Sequence, residues 1–373
     1  MLHPLTQTAE QRLLHISAAR QALLVEGRAL PSAQLAPWIE RSWQRCLQSG
    51  YHPKQRVDFE LVPRQTLQRV HEANHTLISV ARPVLARLGQ AIANTRYFAI
   101  LTNAQGIVVD VNGPIDRSDR RADVIARVGV DLSEQRVGTT AIGAALTDLQ
   151  PVWLHRGEHF FDDNAAYSCA GAPLFGPDGA CVGMLDLTGI DAVERPELQH
   201  LVAQTASKIE NALVLAKPHS LLLRLNWPGN ALGGDADGIL CLDGDGWITG
   251  ANATARAMVP QLTERGAQAL HVGDVFGMAY PTLFDAANHG SGPLDVPLWS
   301  GLHLQALAIH SADEAMTVAA TRSARGLQAR PLKEMETALI RKAVEQARGN
   351  VAQAAKTLGI SRATVYRKLG RPG

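Results

Sequence analysis

The sequence predicts an α+β chain in which two small sheet domains are followed by an all-helical end. Three observations carry this. At Tyr97 the apolar spacing changes from helical to extended, with YFAILTN and IVVDVNG flanking a turn at 104–106. After Pro218 a second set of short strands is broken by Gly and Asp turns. From Leu332 the helical period returns, now with cap and stop residues between two short basic helices.

Composition bounds the rest. With 373 residues, 46% of them apolar and 19% charged, the chain has material for two or three domains with cores of their own. No apolar run approaches the roughly 20 residues of a membrane helix, and MLHPLTQTAEQRLLH lacks the layout of a secretion signal. The expectation is a cytoplasmic protein with no membrane partner. Cys46, Cys169, Cys181 and Cys241 are far apart and form no CxxC pair, so reduced thiols are expected and no metal site. The near-balanced charge hides an asymmetry: from Thr321 onward twelve basic residues face three acidic ones, a net of +9, and the remainder carries −8. A basic module on an acidic body suits nucleic-acid binding by the former.

Residues 1–74 read as an N-terminal helical region, with helices over 8–28 and 33–49, the latter ending in WIERSWQRCLQSG at Gly50. A helical lead, LQRVHEANHTLISVARPVLARLGQAIANT, runs into the first strand. The hairpin follows, then VGVDLSEQRVGTTAIGAALTDLQPV, a loop entering a short helix at 140–147. PVWLHRGEHF, CAGAPLF and ACVGMLDLTG make three more strands, the last two joined by a Gly176-Pro177-Asp178-Gly179 turn, and HLVAQTASKIENALVLA closes the unit as a helix. This order implies an antiparallel sheet flanked by helices over 75–216.

The motifs DLSEQRVGTTAIGAAL, GEHF, SCAGAPL and GPDGACVGMLDLTG, with SWQRC upstream, resemble the GAF sensor domain of the acetoin-catabolism regulators and their relatives among bacterial enhancer-binding activators. The chain departs from that pattern at Thr140, where Asn is usual, and at Ala170. Such a domain implies a cavity between sheet and covering loops that holds a small-molecule effector. The candidate polar groups are Glu134, Thr139, Thr140, Glu158, His159, Tyr167, Ser168 and Asp186, with helix capping the competing role for Glu134 and Thr139 and satisfaction of loop amides for Asp186. His155, Glu158 and His159 also spell a zinc-peptidase motif. Gly157 interrupts the helix that motif needs, and a strand enters at Pro151, so no metal is expected there.

Over 217–320, NWPGNALGGDADG leads to GILCLDGDGWITGANATARAMV, two strands about an Asp-Gly-Asp-Gly turn and a helix capped by Asn252. This stretch resembles the opening of a PAS domain, here degenerate. PLDVPLW, LHLQALAIH and AMTVAATR are compatible with its later strands. Cys241 and His271 lack any axial-ligand motif, and no cofactor is expected. Residues 321–331 form a basic linker.

In 332–373, Asn350 caps a helix carrying Val351, Ala354, Ala355 and Leu358, Gly359 stops it, Ile360 plugs the turn and Ser361 caps a second helix. Val365 and Leu369 point inward; Arg362, Thr364, Arg367 and Lys368 point outward, with side chains suited to base edges and phosphates. Leu332 to Ala347 adds a preceding amphipathic helix. The arrangement resembles the Fis-family helix-turn-helix, which implies double-stranded DNA as partner, contacts from Ser361, Arg362, Thr364, Arg367 and Lys368, and a homodimer.

The activators with this sensor normally carry an ATPase between sensor and helix-turn-helix. None of the seven lysines here follows a glycine, so the phosphate loop with its Gly-Lys cannot form. The expectation is a DNA-binding transcriptional regulator sensing a small metabolite without ATPase activity, and not an enzyme. The alternative is a motor-less interaction protein that antagonises, or forms mixed dimers with, a full-length sigma-54 activator.

Overall fold

The computed structural model describes residues 9–28, 35–264, 270–290 and 292–311, together with 344, 347, 350–357, 362, 364 and 365. It divides into two compact units, Met1–Ile309 and His310–Gly373.

The first unit opens with α1 (Ala9–Arg20), which widens into a π turn, and α2 (Pro37–Gln48), started by Pro37 with its preset φ. Two further helices, α3 (Arg64–Ala73) and α4 (His75–Ala91), lead to β1 (Tyr97–Asn103) and β2 (Val108–Asn112). Three short helices follow: α5 (Arg120–Ile125), α6 (Glu134–Val137) and α7 (Ala141–Asp148). Next come β3 (Val152–His155), β4 (Tyr167–Phe175), β5 (Cys181–Ile190) and α8 (Leu198–Leu215). The five strands form an antiparallel sheet in the order β2-β1-β5-β4-β3.

Alternation along each strand sorts the side chains onto two covered faces. Tyr97, Ala99, Leu101, Leu185 and Leu187 meet α4 and α8 on one face, through Leu77, Leu85, Val202 and Ile209. Phe98, Ile100, Met184 and Ile190 share the other face with α7 and with Trp38, Ile39 and Trp43 of α2. With both faces covered the strands read as nearly unbroken apolar runs, and the polar side chains of the inner strands, Thr102, Asn103, Ser168, Asp186 and Thr188, are buried. The helices of 1–74 are therefore not a separate region. Ala19 and Leu23, and Ile39, Trp43 and Cys46 of α2, belong to the same core as the sheet, because a helix as amphipathic as α2 must bury Trp38, Ile39 and Trp43 somewhere.

A second sheet contains β6 (Leu221–Asn226), β7 (Gly238–Leu242), β8 (Ile248–Ala251), β9 (Leu294–Pro297) and β10 (His303–His310), in the order β8-β7-β6-β10-β9. Between β8 and β9 lie α9 (Ala253–Met258), α10 (Gln261–Glu264), α11 (Val272–Val275) and α12 (Pro281–Asn288). The expected hairpin is present: Asp243 Oδ1 accepts from the amides of Asp245 and Trp247 at 3.0 and 2.9 Å. Asn252 caps α9 through the Ala255 amide at 2.8 Å. The strand expected in AMTVAATR lies outside the described residues. The central place belongs instead to β6, LLLRLN, which the sequence reading passed over: Leu221, Leu223 and Leu225 enter the second core, while Leu222 meets Val214 at the end of α8. Three leucines followed by Arg224 and Leu225 are too short a stretch for their period to declare a strand.

Helix α8 serves both sheets. Asn211 donates to the Asp235 carbonyl at 2.9 Å and accepts from Asn252 at 2.8 Å. Glu210 accepts from the Phe175 amide at 2.9 Å, and its burial pushes its pKa up to about 7, against the pull of that amide and of Arg256.

Candidate effector site and nucleic-acid interface

Strand β5 carries an anomaly. Met184, Asp186, Thr188 and Ile190 share one face by alternation, so a carboxyl and a hydroxyl stand where apolar side chains are required. Asp186 pairs in register with Ile100 of β1 and Gly171 of β4. Gly171 is needed there: a Cβ would lie 2.6 Å from the Met184 methyl and 3.2 Å from Ala141, so a side chain would push α7 off the sheet. Between α7 and the sheet lies a cavity of about 30 Å³, walled by Ile100, Ile125, Leu132, Val137, Ala141 and Ile142, with Asp186, Thr188, Thr140, His159, Asn164, Tyr167 and Cys169 as its polar or polarisable lining.

The Thr188 hydroxyl donates to Asp186 Oδ2. Asp186 Oδ1 is buried without a partner, and so is Oδ1 of Asn164, whose amide nitrogen is committed to the Val137 carbonyl at 3.0 Å. His159 Nδ1 lies 2.8 Å from the Arg156 carbonyl. A carbonyl only accepts, so Nδ1 carries the proton and Nε2 presents a lone pair, 3.7 Å from Cys169 Sγ. Tyr167 donates its hydroxyl to the Arg121 carbonyl at 3.2 Å.

Burial dominates the electrostatics. It pushes the Asp186 carboxyl up to about 7, with the Thr188 hydrogen bond pulling weakly the other way. It lowers His159 to about 4, leaving a neutral ring. Burial also raises the Cys169 thiol and the Tyr167 phenol, so neither ionises near neutrality.

Of the eight candidates named from the sequence, Thr140, His159, Tyr167 and Asp186 meet at this cavity. The other four do not, and their polar atoms have other partners. Glu134 takes Nε and Nη2 of Arg45 at 2.6 and 2.8 Å and the Ser42 hydroxyl at 2.7 Å. Thr139 meets Ser42 Oγ at 2.7 Å. Glu158 takes the Arg12 guanidinium in two bonds of 2.6 and 2.8 Å and the His155 amide at 2.6 Å. Ser168 meets His155 Nδ1 at 2.6 Å. Nor do Glu134 and Thr139 cap α7; Thr140 does, accepting from the Gly143 amide at 3.2 Å. Glu134, Thr139 and Glu158 form a seam that docks α1 and α2, reinforced by Trp43 Nε1 donating to the Glu158 carbonyl at 2.9 Å and by Arg20 reaching the carbonyls of Gly157, His159 and Phe160. Thr188 and Asn164 were missed. Thr188 was legible as the second polar residue, two along from Asp186, in an apolar strand; Asn164, in a short turn, left no such signal.

Neither Cys241 nor His271 lines the Asp186 cavity. Cys241 is sealed between β7 and α8, and His271 caps α11 through the Gly273 amide, with its ring against Trp247 and Tyr280. Among the described residues no group of three or more His, Cys, Asp or Glu is placed to hold a metal ion, and no helix is long and apolar enough to cross a membrane.

In the second unit, Asn350 Oδ1 accepts from the Gln353 amide at 3.2 Å at the start of α13 (Val351–Thr357), as a cap should. Ala355 and Val365 are buried against each other, with Val344 and Val351 packed on them. Arg362 is exposed on the following helical stretch and Thr364 is half-buried. Ser361, Arg367, Lys368 and most of 332–347 lie outside the described residues.

A family model described as the MimR N-terminal domain matches residues 14–211, more than half of the chain. The chain belongs to the MimR N-terminal domain family. The MimR match begins within α1 and ends within α8, so it takes in the docked helices, the seam and the cavity as one unit. A second model, of Fis-family bacterial regulatory proteins, matches residues 331–371. Relatives of this MimR-family chain include the acetoin catabolism regulatory protein of Cupriavidus necator, 31% identical over 66% of this chain and 37% of that one. Another is the propane 2-monooxygenase operon transcriptional activator MimR of Mycolicibacterium goodii, 30% identical over 52% of this chain and 32% of that one. The matches thus span about a third of these relatives' lengths. Among solved structures, the E. coli DhaR(N)–DhaL complex is similar at 15% identity over 74% of this chain and 99% of that one, with a TM-score of 0.44.

Proposed function

We propose that this chain is a sequence-specific transcription regulator that acts in the cytoplasm without ATPase activity: the Asp186 cavity binds a small effector, and paired C-terminal helix-turn-helix units read DNA. The observation that carries the reading is the joining, in one chain, of a MimR-type sensor over 14–211 to a Fis-type module over 331–371. Arg362, exposed on its helix, contributes base or phosphate contacts together with Ser361, Thr364, Arg367 and Lys368. A homodimer follows from the two half-sites such a reader spans. The cavity communicates through β5 and α8, whose Asn211 is bonded into the second sheet by Asn252. An effector alters DNA binding only by its difference in affinity for two arrangements of this path.

The test is selection of genomic fragments by the full-length protein and by an Arg362→Ala, Arg367→Ala variant, at two salt concentrations. A few enriched sites, lost in the variant and weakened by salt, are expected. Equal recovery of all fragments by both proteins would overturn the reading. A second reading is favoured by the absence of any Gly-Lys dipeptide between the two matched regions: a motor-less partner that forms mixed dimers with a full-length sigma-54 activator and blocks it. Cross-linked mixed dimers, with no independent operator sites, would establish that reading instead.

A further inference from the structure

Resting on the reading of the Asp186 cavity as the effector site, we infer that Phe59 is its entrance and sets the size of what enters: the segment 54–59 lifts, the ring leaves its seat, and an effector takes the space it vacates. The cavity as it stands measures about 30 Å³, room for a water or two, so a molecule with a carbon skeleton enters only where a wall gives way.

Three sides are firmly closed. The sheet forms one and is backed by α4 and α8. Helix α7 is seated so near the sheet that a Cβ on Gly171 would lie 3.2 Å from Ala141. Toward α2, Glu134 is bound by Arg45 and Ser42 at 2.6 and 2.7 Å. The fourth side differs. Of the residues around the cavity all but Phe59 and Thr140 are buried, and Thr140 is fixed as the cap of α7. Phe59 comes from the connection between α2 and α3, which is irregular apart from a bridge of Leu61 with Val130. Its ring stands edge-on to that of Tyr167, with 6.3 Å between centroids.

The ends of this connection are held backbone to backbone. The Asp162 amide donates to the Pro53 carbonyl at 2.8 Å, the Asp131 amide to the Glu60 carbonyl at 3.1 Å, and the Val62 amide to the Gly129 carbonyl at 2.9 Å. Between those points the tethers to the rest of the fold are two side chains. Asp163 Oδ2 accepts from the Val57 amide at 3.2 Å, and Arg127 Nη2 donates to the Phe59 carbonyl at 3.1 Å. Asp163 is exposed and Arg127 half-buried, so water replaces either bond at small cost once it parts. A strip fixed at both ends and lightly in the middle opens locally while the unit stays folded. The volume of the side chain at 59 then limits the effector, since a smaller one leaves a larger cavity behind.

The test treats the full chain with methyl methanethiosulfonate and follows the labelling of each cysteine by peptide mass. Cys169 lines the cavity and reports entry; Cys241, sealed between β7 and α8, reports opening elsewhere. Phe59→Ala is expected to speed labelling of Cys169 by about tenfold, the effect of removing a half-buried ring, and to leave Cys241 unchanged. Phe59→Trp, which keeps the seat filled, is expected to label no faster than the wild type. Asp163→Ala frees the strip while leaving the ring in place, so it serves if the first variant does not fold; an acceleration of about fivefold at Cys169, the worth of one hydrogen bond, is expected. Unchanged labelling of Cys169 in the variants, or an equal acceleration at Cys169 and Cys241, would overturn the inference. The labelling needs no effector and the fragment selection needs no labelling, so a failed entrance leaves the regulator reading standing, and the reverse holds as well.

Discussion

Two groups of polar side chains on the first sheet's α2- and α7-covered side differ in how their carboxyl oxygens are met. Where α1 and α2 dock, both oxygens of Glu158 and both of Glu134 accept charged donors, and Ser42 and Thr139 meet each other. At the cavity, between β5 and α7, the buried Oδ1 atoms of Asp186 and Asn164 go unpaired. A polar group whose partners come from the chain itself holds elements together. One left without a partner is a cost the fold carries, and such costs persist where something outside the chain meets them. Acidic residues that look alike in sequence thus divide, by what stands opposite them, into those that dock helices and one left facing a cavity.

If the docking group is structural, its loss must cost stability. The largest effect is expected for Trp43→Ala, which removes a fully buried ring and the donor to the Glu158 carbonyl; a loss of about 3–5 kcal/mol should appear in denaturant titrations. Arg12→Ala comes next, at about 2–3 kcal/mol near pH 8, because Glu158 stays buried without its guanidinium. Burial already pushes the Glu158 pKa up against the pull of Arg12, so without Arg12 the carboxyl takes a proton more readily and the loss should shrink at pH 5. A loss that does not change with pH would show that Arg12 acts through its stacking over Trp153 instead. Ser42→Ala should cost about 1 kcal/mol, the worth of its bonds to Glu134 and Thr139.

At the cavity the expected effect has the opposite sign, and its pH dependence is definite. In the folded chain Asp186 keeps its proton up to about 7, whereas its ordinary value is 3.8. Between those values unfolding releases a proton, so rising pH favours the unfolded chain. The stability of Asp186→Leu relative to the wild type should therefore increase from about pH 4 to pH 7 and level off above. A constant difference across that range, measured by paired melts, would mean that the buried Asp186 carboxyl does not hold its proton in the folded chain.

Much of the architecture was legible from spacing alone. The hairpin at Tyr97, the strands around CAGAPLF and MLDLTG, the closing helix and the caps at Asn252 and Asn350 follow from local rules of period, turn and cap, which act within a few residues. The site was legible only in part. His159, Tyr167, Thr140 and Asp186 were recognisable as polar residues in apolar surroundings, but so were Glu134, Thr139, Glu158 and Ser168. Nothing local to Glu158 announces Arg12, which is 146 residues away along the chain, nor does Glu134 announce Arg45. In the same way β6 took the centre of the second sheet because its two apolar faces match two separate cores, a fact that exists only once both cores have formed.

By itself, then, the sequence determined most of the helices and strands of the first sheet, the caps at Asn252 and Asn350, and a carboxyl on β5 where apolar residues belong, because each of these is written in residues close together along the chain. Only the tertiary structure decided which buried acids received an arginine and which were left facing a cavity, because that depends on charges brought together from distant parts of the chain when the apolar faces of α1 and α2 close on the sheet.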